Sequence, residues 1–145
     1  MSIAERELMF EAIRRAMPAE VERNADSSLV ANFTINKLHQ ISKYLTPMIG
    51  LRGVEVLFSR SLDLTSKEFA WLTATDPRLD KATQMAFVSE QLQARESNEA
   101  SKASYTFFAT FTELLISLIG ISLTSRLLEP IWATVPPAPQ KESKS

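Results

Sequence analysis

Few side chains in this chain are of a type and spacing that could do chemistry. Glu113 sits in the middle of the longest apolar run, Ser104–Trp132. A lone carboxylate acts as a general acid or base only with a companion group, and no His or second carboxylate stands close to it in sequence. His39 is the only histidine, with Lys43 one helical turn on. A phosphotransfer histidine would have lysine three residues later and glycine directly after that lysine. Ser42 and Lys43 occupy those places, so His39 reads as a surface histidine. As a metal ligand it has no histidine partner. The carboxylate pairs Asp76/Asp80 and Glu96/Glu99 lie in polar stretches where solvated charge is the rule. Gly50-Leu51-Arg52-Gly53 lacks the spacing, the lysine and the preceding strand of a phosphate-binding loop. With no cysteine, disulfides, thiol catalysis and cysteine-ligated metals are excluded. No Glu-x-x-His pair is available for a carboxylate-bridged metal bundle. We therefore expect neither catalysis, nor a cofactor, nor a metal site.

A second kind of signal is steric. Thr106, Thr110, Glu113, Ser117, Gly120 and Thr124 follow one another at steps of three and four, which places them on one side of a helix. The stripe is either a solvent-facing strip or a seam where another helix or a partner approaches closely, as small residues permit. If it were buried, Glu113 would need a cation; Arg52, Arg60 and Arg126 are candidates. Gly50 and Gly53 invite the same reading, because a glycine inside a helix costs ~1 kcal/mol relative to alanine. Gly120 is their natural counterpart. An alternative is that Ile49-Gly50 ends one turn and the helix proper starts after it. Trp71, beside Phe69 and Leu72, is an anchor at the edge of the core or an interface aromatic. The candidate interface or packing seam is thus Gly50, Gly53, Trp71, Thr110, Glu113, Ser117, Gly120 and Thr124.

The elements that must position these residues are helices. Within 145 residues there are only three glycines, few turn dipeptides and almost no alternating apolar–polar runs. The spacing predicts an all-α, compact bundle of about four to five helices spanning 1–132, followed by a disordered, proline-containing tail over 133–145. Ser2 and Glu5 form a capping box for a first helix reaching Met17, broken at Pro18. Asp26, Ser27 or Ser28 caps a second helix. Thr46-Pro47 marks a boundary, with a third helix from Pro47 to about Leu64, whose Arg52, Glu55, Ser59 and Asp63 should face water. Asp76-Pro77-Arg78 is a turn, and a fourth helix covers about 79–95. The polar stretch 93–102 reads as a solvated hairpin tip. The central helix then runs from about Ser104 and ends at Pro130. Its Phe107, Phe108, Phe111, Leu115 and Leu118 belong to a broad apolar surface.

The uncharged run between Glu113 and Arg126 is too short to span a bilayer, which takes ~20 apolar residues. The amino-terminal stretch carries Glu5, Glu7 and Glu11 among its arginines and lacks an apolar core, so it reads as neither a secretory signal nor a transit peptide. With a net charge of −1 there is no electrostatic footprint for nucleic acid. The tail segment Pro136–Lys141 satisfies a PxxP pattern with a following basic residue. We expect a cytoplasmic, non-enzymatic protein–protein interaction module, a small regulatory or adaptor bundle, partnered by another protein or by itself. Alternatives are a membrane-associated protein using residues 104–129, or a bundle that holds an apolar ligand.

Overall fold

The computed structural model of the chain describes residues 2–17 (side chains from Glu5), 27–72 and 79–133. The Ser2 cap, Pro18, Asp26, the Asp76-Pro77-Arg78 turn and the PxxP segment lie outside what it describes. The described residues form five helices and no strand: α1 Ser2–Ala16, α2 Ser27–Thr65, α3 Lys81–Gln93, α4 Ser97–Ile119 and α5 Ile121–Ala133. The protein is an all-α bundle.

α4 is the centre of the core. Ala100, Ala103, Phe107, Phe108, Phe111 and Leu115 recur at three- and four-residue steps and are all buried. Its main neighbour is α2. Phe58 of α2 stacks obliquely on Phe111 with ring centroids 5.4 Å apart. Phe33 meets Phe108 edge-on at 6.3 Å. The threonines and serines on these buried faces do not leave polar atoms stranded. Thr34, Ser61, Thr65 and Thr112 each donate a hydroxyl proton to the carbonyl four residues back. Thr34 also shares a 2.7 Å bond with Ser104 across the α2–α4 contact. Hydroxyls satisfied within their own helix can be buried at little cost.

The helix boundaries differ from those the sequence suggests, for one physical reason. Pro47 and Pro130 do not end helices, and Gly50 and Gly120 do. Pro47 lies inside α2 and Pro130 inside α5. Each removes one amide, whose acceptor would be the carbonyl four residues back. Those acceptors belong to Lys43 and Arg126, both exposed, where solvent can satisfy them. The chain turns instead at Gly50, with φ 83° and ψ 156°, and at Gly120, with φ 90° and ψ 159°. These two near-identical conformations fall in a region essentially confined to glycine. Each α-helical run therefore folds back on itself. The expected central helix is two helices meeting at Gly120, and α2 is a bent pair, 27–49 and 51–65, meeting at Gly50. α4 also begins earlier than expected: the stretch read as a solvated hairpin tip contributes Ala100, which is fully buried.

Cross-contacts fix the direction of each segment. Going along α2 and past it, Phe58 meets Phe107 and Phe111, and then Trp71 meets Glu99. The second half of α2 is therefore antiparallel to α4. The first half runs parallel to α4, with Ser27 bonded to Gln93 and Thr34 to Ser104. α5 returns along α4, so that Trp132 reaches Phe108 at 5.0 Å. Leu51 lies seven residues before Phe58, and Ile119 eight after Phe111. At 1.5 Å per residue both are ~10 Å beyond the phenylalanine cluster in the same direction. The two glycine corners share one end of the bundle.

α3 closes the side of α2. Lys81 at its start donates its backbone amide to Glu55 and its ammonium to Ser42. This explains why Glu55 and Ser59, expected in water, are buried. Glu55 is held by the α3 amide and by Arg52.

Candidate functional site

The residues singled out as an interface or seam do not form one surface. Glu113, Ser117 and Gly120 are exposed, Thr110 is half-buried and Thr124 is fully buried. Along α4 the stripe is a solvent-facing strip. Glu113 pairs with Arg6 of α1 rather than with any of the three arginines considered from sequence. Both partners are substantially exposed, and such a bridge is worth ~0–1 kcal/mol. A Cβ added at Gly53 would meet the side chain of Ile49, 3.2 Å away at the end of the segment before the Gly50 corner. At Gly50 and Gly120 it would meet nothing within 4 Å. Gly53 leaves room for Ile49 of the adjoining segment, whereas Gly50 and Gly120 turn the chain. Trp71 is half-buried. Its indole N–H donates to Glu99 at 2.8 Å, and the Arg95 guanidinium lies 5.0 Å above its ring. It clamps the turn after α2 to the start of α4.

The candidate chemical groups also have structural roles or polar, unreactive neighbours. Asp80 is the N-cap of α3, accepting from the Thr83 amide at 2.8 Å. That hydrogen bonding holds its carboxyl below the usual aspartate range. Glu99 is engaged by Trp71, and Glu96 stands at the N-cap position of α4. His39 is exposed on a shallow groove of about 410 Å³ between α2 and α3, beside Asn32, Asn36, Met85 and Ser89. A second cleft, about 420 Å³, lies between the end of α1 and the start of α4. Its Arg14 is already committed to Glu11 and to the face of Tyr105.

Lys37 is the one buried cation among the described residues. It is buried, donates to the Ile131 carbonyl at 2.8 Å, and lies 5.9 Å from the Phe33 ring centre and 5.7 Å from that of Trp132. Desolvation lowers its pKa from the ordinary lysine value. A cation at the carboxyl end of a helix is favoured by the helix dipole, and here it ties the last turn of α5 to α2.

The most distinctive surface is the end of the bundle where the two glycine corners sit. There the aliphatic side chains point outward. Leu118 is 59% exposed, Leu51 47%, Met48 44% and Leu123 36%. Tyr44 and Val56 extend this apolar character down the sides. The cations Lys43, Arg52 and Arg126 are exposed around it. No carboxylate occurs in residues 43–54 or 114–128. The carboxylates that border these stretches are Glu55, buried and bonded, Glu113, paired with Arg6, and the exposed Glu129.

Sequence reasoning reached Gly50 and Gly120 with a packing role for both, and offered for Gly50 the alternative that Ile49-Gly50 ends one turn before the next helix starts, which matches the corner observed there. It assigned Leu118 to the core and passed over Met48, Leu51, Leu123 and Lys37. A signal was available: each glycine is flanked on both sides by aliphatic residues that a continuous helix would spread around its circumference. A corner gathers them at one tip instead. No protein-family model, curated protein or solved structure matches this chain.

Proposed function

We propose that this protein is a non-enzymatic, cytoplasmic docking module whose binding surface is the end of the bundle formed by the Gly50 and Gly120 corners. One observation carries the reading: two separate hairpin corners, far apart in sequence, present Met48, Leu51, Leu118 and Leu123 to solvent at the same end. Leaving such side chains partly in water forgoes part of the ~1.5–3 kcal/mol apiece that full burial is worth, and clustered apolar exposure is a mark of interaction surfaces. The corners also give the end a reason to keep its shape. Their backbone conformation suits glycine alone, so both tips are held by the chain itself rather than by a partner.

Site-specific photocrosslinking in the producing cells tests this. A benzophenone amino acid replacing Leu51 or Leu118 should give a strong adduct. The same group at Leu8, an exposed leucine on α1, or at His39 should give little. Equal adducts at all four positions, or none at any, would contradict the assignment.

A further inference from the structure

We propose that α1 is an exchangeable helix, and that the groove between α4 and α5 accepts the α1 of a second copy in place of its own, giving a dimer in which two chains trade first helices. What the groove takes follows from what it holds. Arg6 pairs with Glu113, and the Arg14 guanidinium lies 5.1 Å from the centre of the Tyr105 ring. Arg6 and Arg14 are eight residues apart, as are Tyr105 and Glu113, so α1 lies antiparallel to α4 in one register. Met9 and Ile13, between the two arginines, are buried. These residues form the pattern of a helix laid in a groove, with apolar anchors inside and a polar clip at each end. Every copy carries this segment, including the cation that Glu113 pairs with.

Two features make α1 separable. The first is its attachment. It approaches α5 and α4 and, among the described residues, no other helix. Only Met9 and Ile13 of its described side chains are buried, and the Arg6–Glu113 pair is substantially exposed. The second is the tether. Residues 17–26 connect α1 to α2. That length of chain can span up to about 35 Å, several times the ~10 Å between packed helices. Exchange requires no new surface, because each contact in the dimer copies one in the closed chain. The dimer therefore competes only with the effective concentration of the chain's own helix, which for a short link is in the millimolar range. The closed monomer prevails in dilute solution. The exchanged pair forms where copies are concentrated, or where the closed clip is disfavoured.

Opposite charge reversals at one clip test this in the full-length protein. Arg6→Glu sets two carboxylates against each other in the closed chain, and Glu113→Arg sets two guanidinium groups together. Neither variant repairs its clip by pairing with itself. Mixed, each supplies the α1 that the other's groove lacks, and both clips are restored only by exchange. Native mass spectrometry and sedimentation at about 100 µM, below the millimolar tether concentration, should show each variant alone as a monomer and the equal mixture as a one-to-one heterodimer. Its affinity should exceed that of the wild-type pair by roughly 25-fold, about five-fold per clip. The chain carrying both substitutions has its clip reversed within itself and should stay monomeric. A mixture that remains monomeric overturns the proposal. So does equal dimerisation of either variant alone, which would place the contact on another surface. If a single variant loses its helical circular dichroism, the mixture must restore it, and failure to do so also overturns the exchange.

Discussion

Lys37 is the residue whose behaviour follows most directly from its surroundings. Its ammonium is buried between Phe33 and Trp132 and has one carbonyl acceptor, that of Ile131. Burial disfavours the charged form, so the folded-state pKa lies below that of the unfolded chain, about 10.4. Wherever the lysine is charged, the folded state bears a desolvation cost that the unfolded state does not. Between the two pKa values the unfolded state holds more protons than the folded one, so stability rises with pH there. Urea unfolding of the wild type and of Lys37→Met at pH 7 and near pH 10 should show the wild type gaining on the variant at the higher pH. A constant difference across that range would mean the lysine is effectively solvated. Nothing in the sequence marked this lysine, because a single cation among polar neighbours on a helix is normally solvated. Only the return of α5 along α4 places Trp132 and the Ile131 carbonyl around it.

At the scale of elements, the glycine corners decide the architecture. Replacing Gly120 by alanine would introduce no steric clash, since nothing lies within 4 Å of the new methyl group. The cost would be conformational: at φ 90° and ψ 159° a side-chain-bearing residue is strained by ~1–3 kcal/mol. Gly120→Ala should therefore lower the unfolding free energy by that amount, and Gly50→Ala should do the same, as measured by chemical denaturation. A rise in stability would indicate that α4 and α5 are one continuous helix in solution, where alanine is favoured over glycine by ~1 kcal/mol. The all-α class and the phenylalanine core of α4 were legible in the sequence, because three- and four-residue spacing survives any later bend. The element ends were less so. Pro47 and Pro130 carry a known local penalty, and Thr46-Pro47 resembles a helix start. Glycine gives no such sign, since it fits an internal helical turn, a close contact and a positive-φ corner alike. The tertiary fold chose the corner twice.

For the whole molecule, the distribution of apolar side chains matters more than their number. The core takes Phe58, Phe107, Phe108, Phe111 and their neighbours from all five helices, while the corner end keeps Met48, Leu51, Leu118 and Leu123 outside. The candidate site was hidden in the sequence because an apolar residue in an apolar run reads as core. Its exposure follows only from two chain reversals meeting at one end. The absence of cysteine from the chain provides a direct test that this end is occupied where the protein works. A single Leu118→Cys or Leu8→Cys replacement supplies one thiol on an exposed helix surface. Maleimide labelling rates should be similar for the two in the purified protein. In the producing cells, Leu118→Cys should be protected relative to Leu8→Cys, as a docked end requires. Equal labelling of both in the cells would contradict the docking surface assigned here.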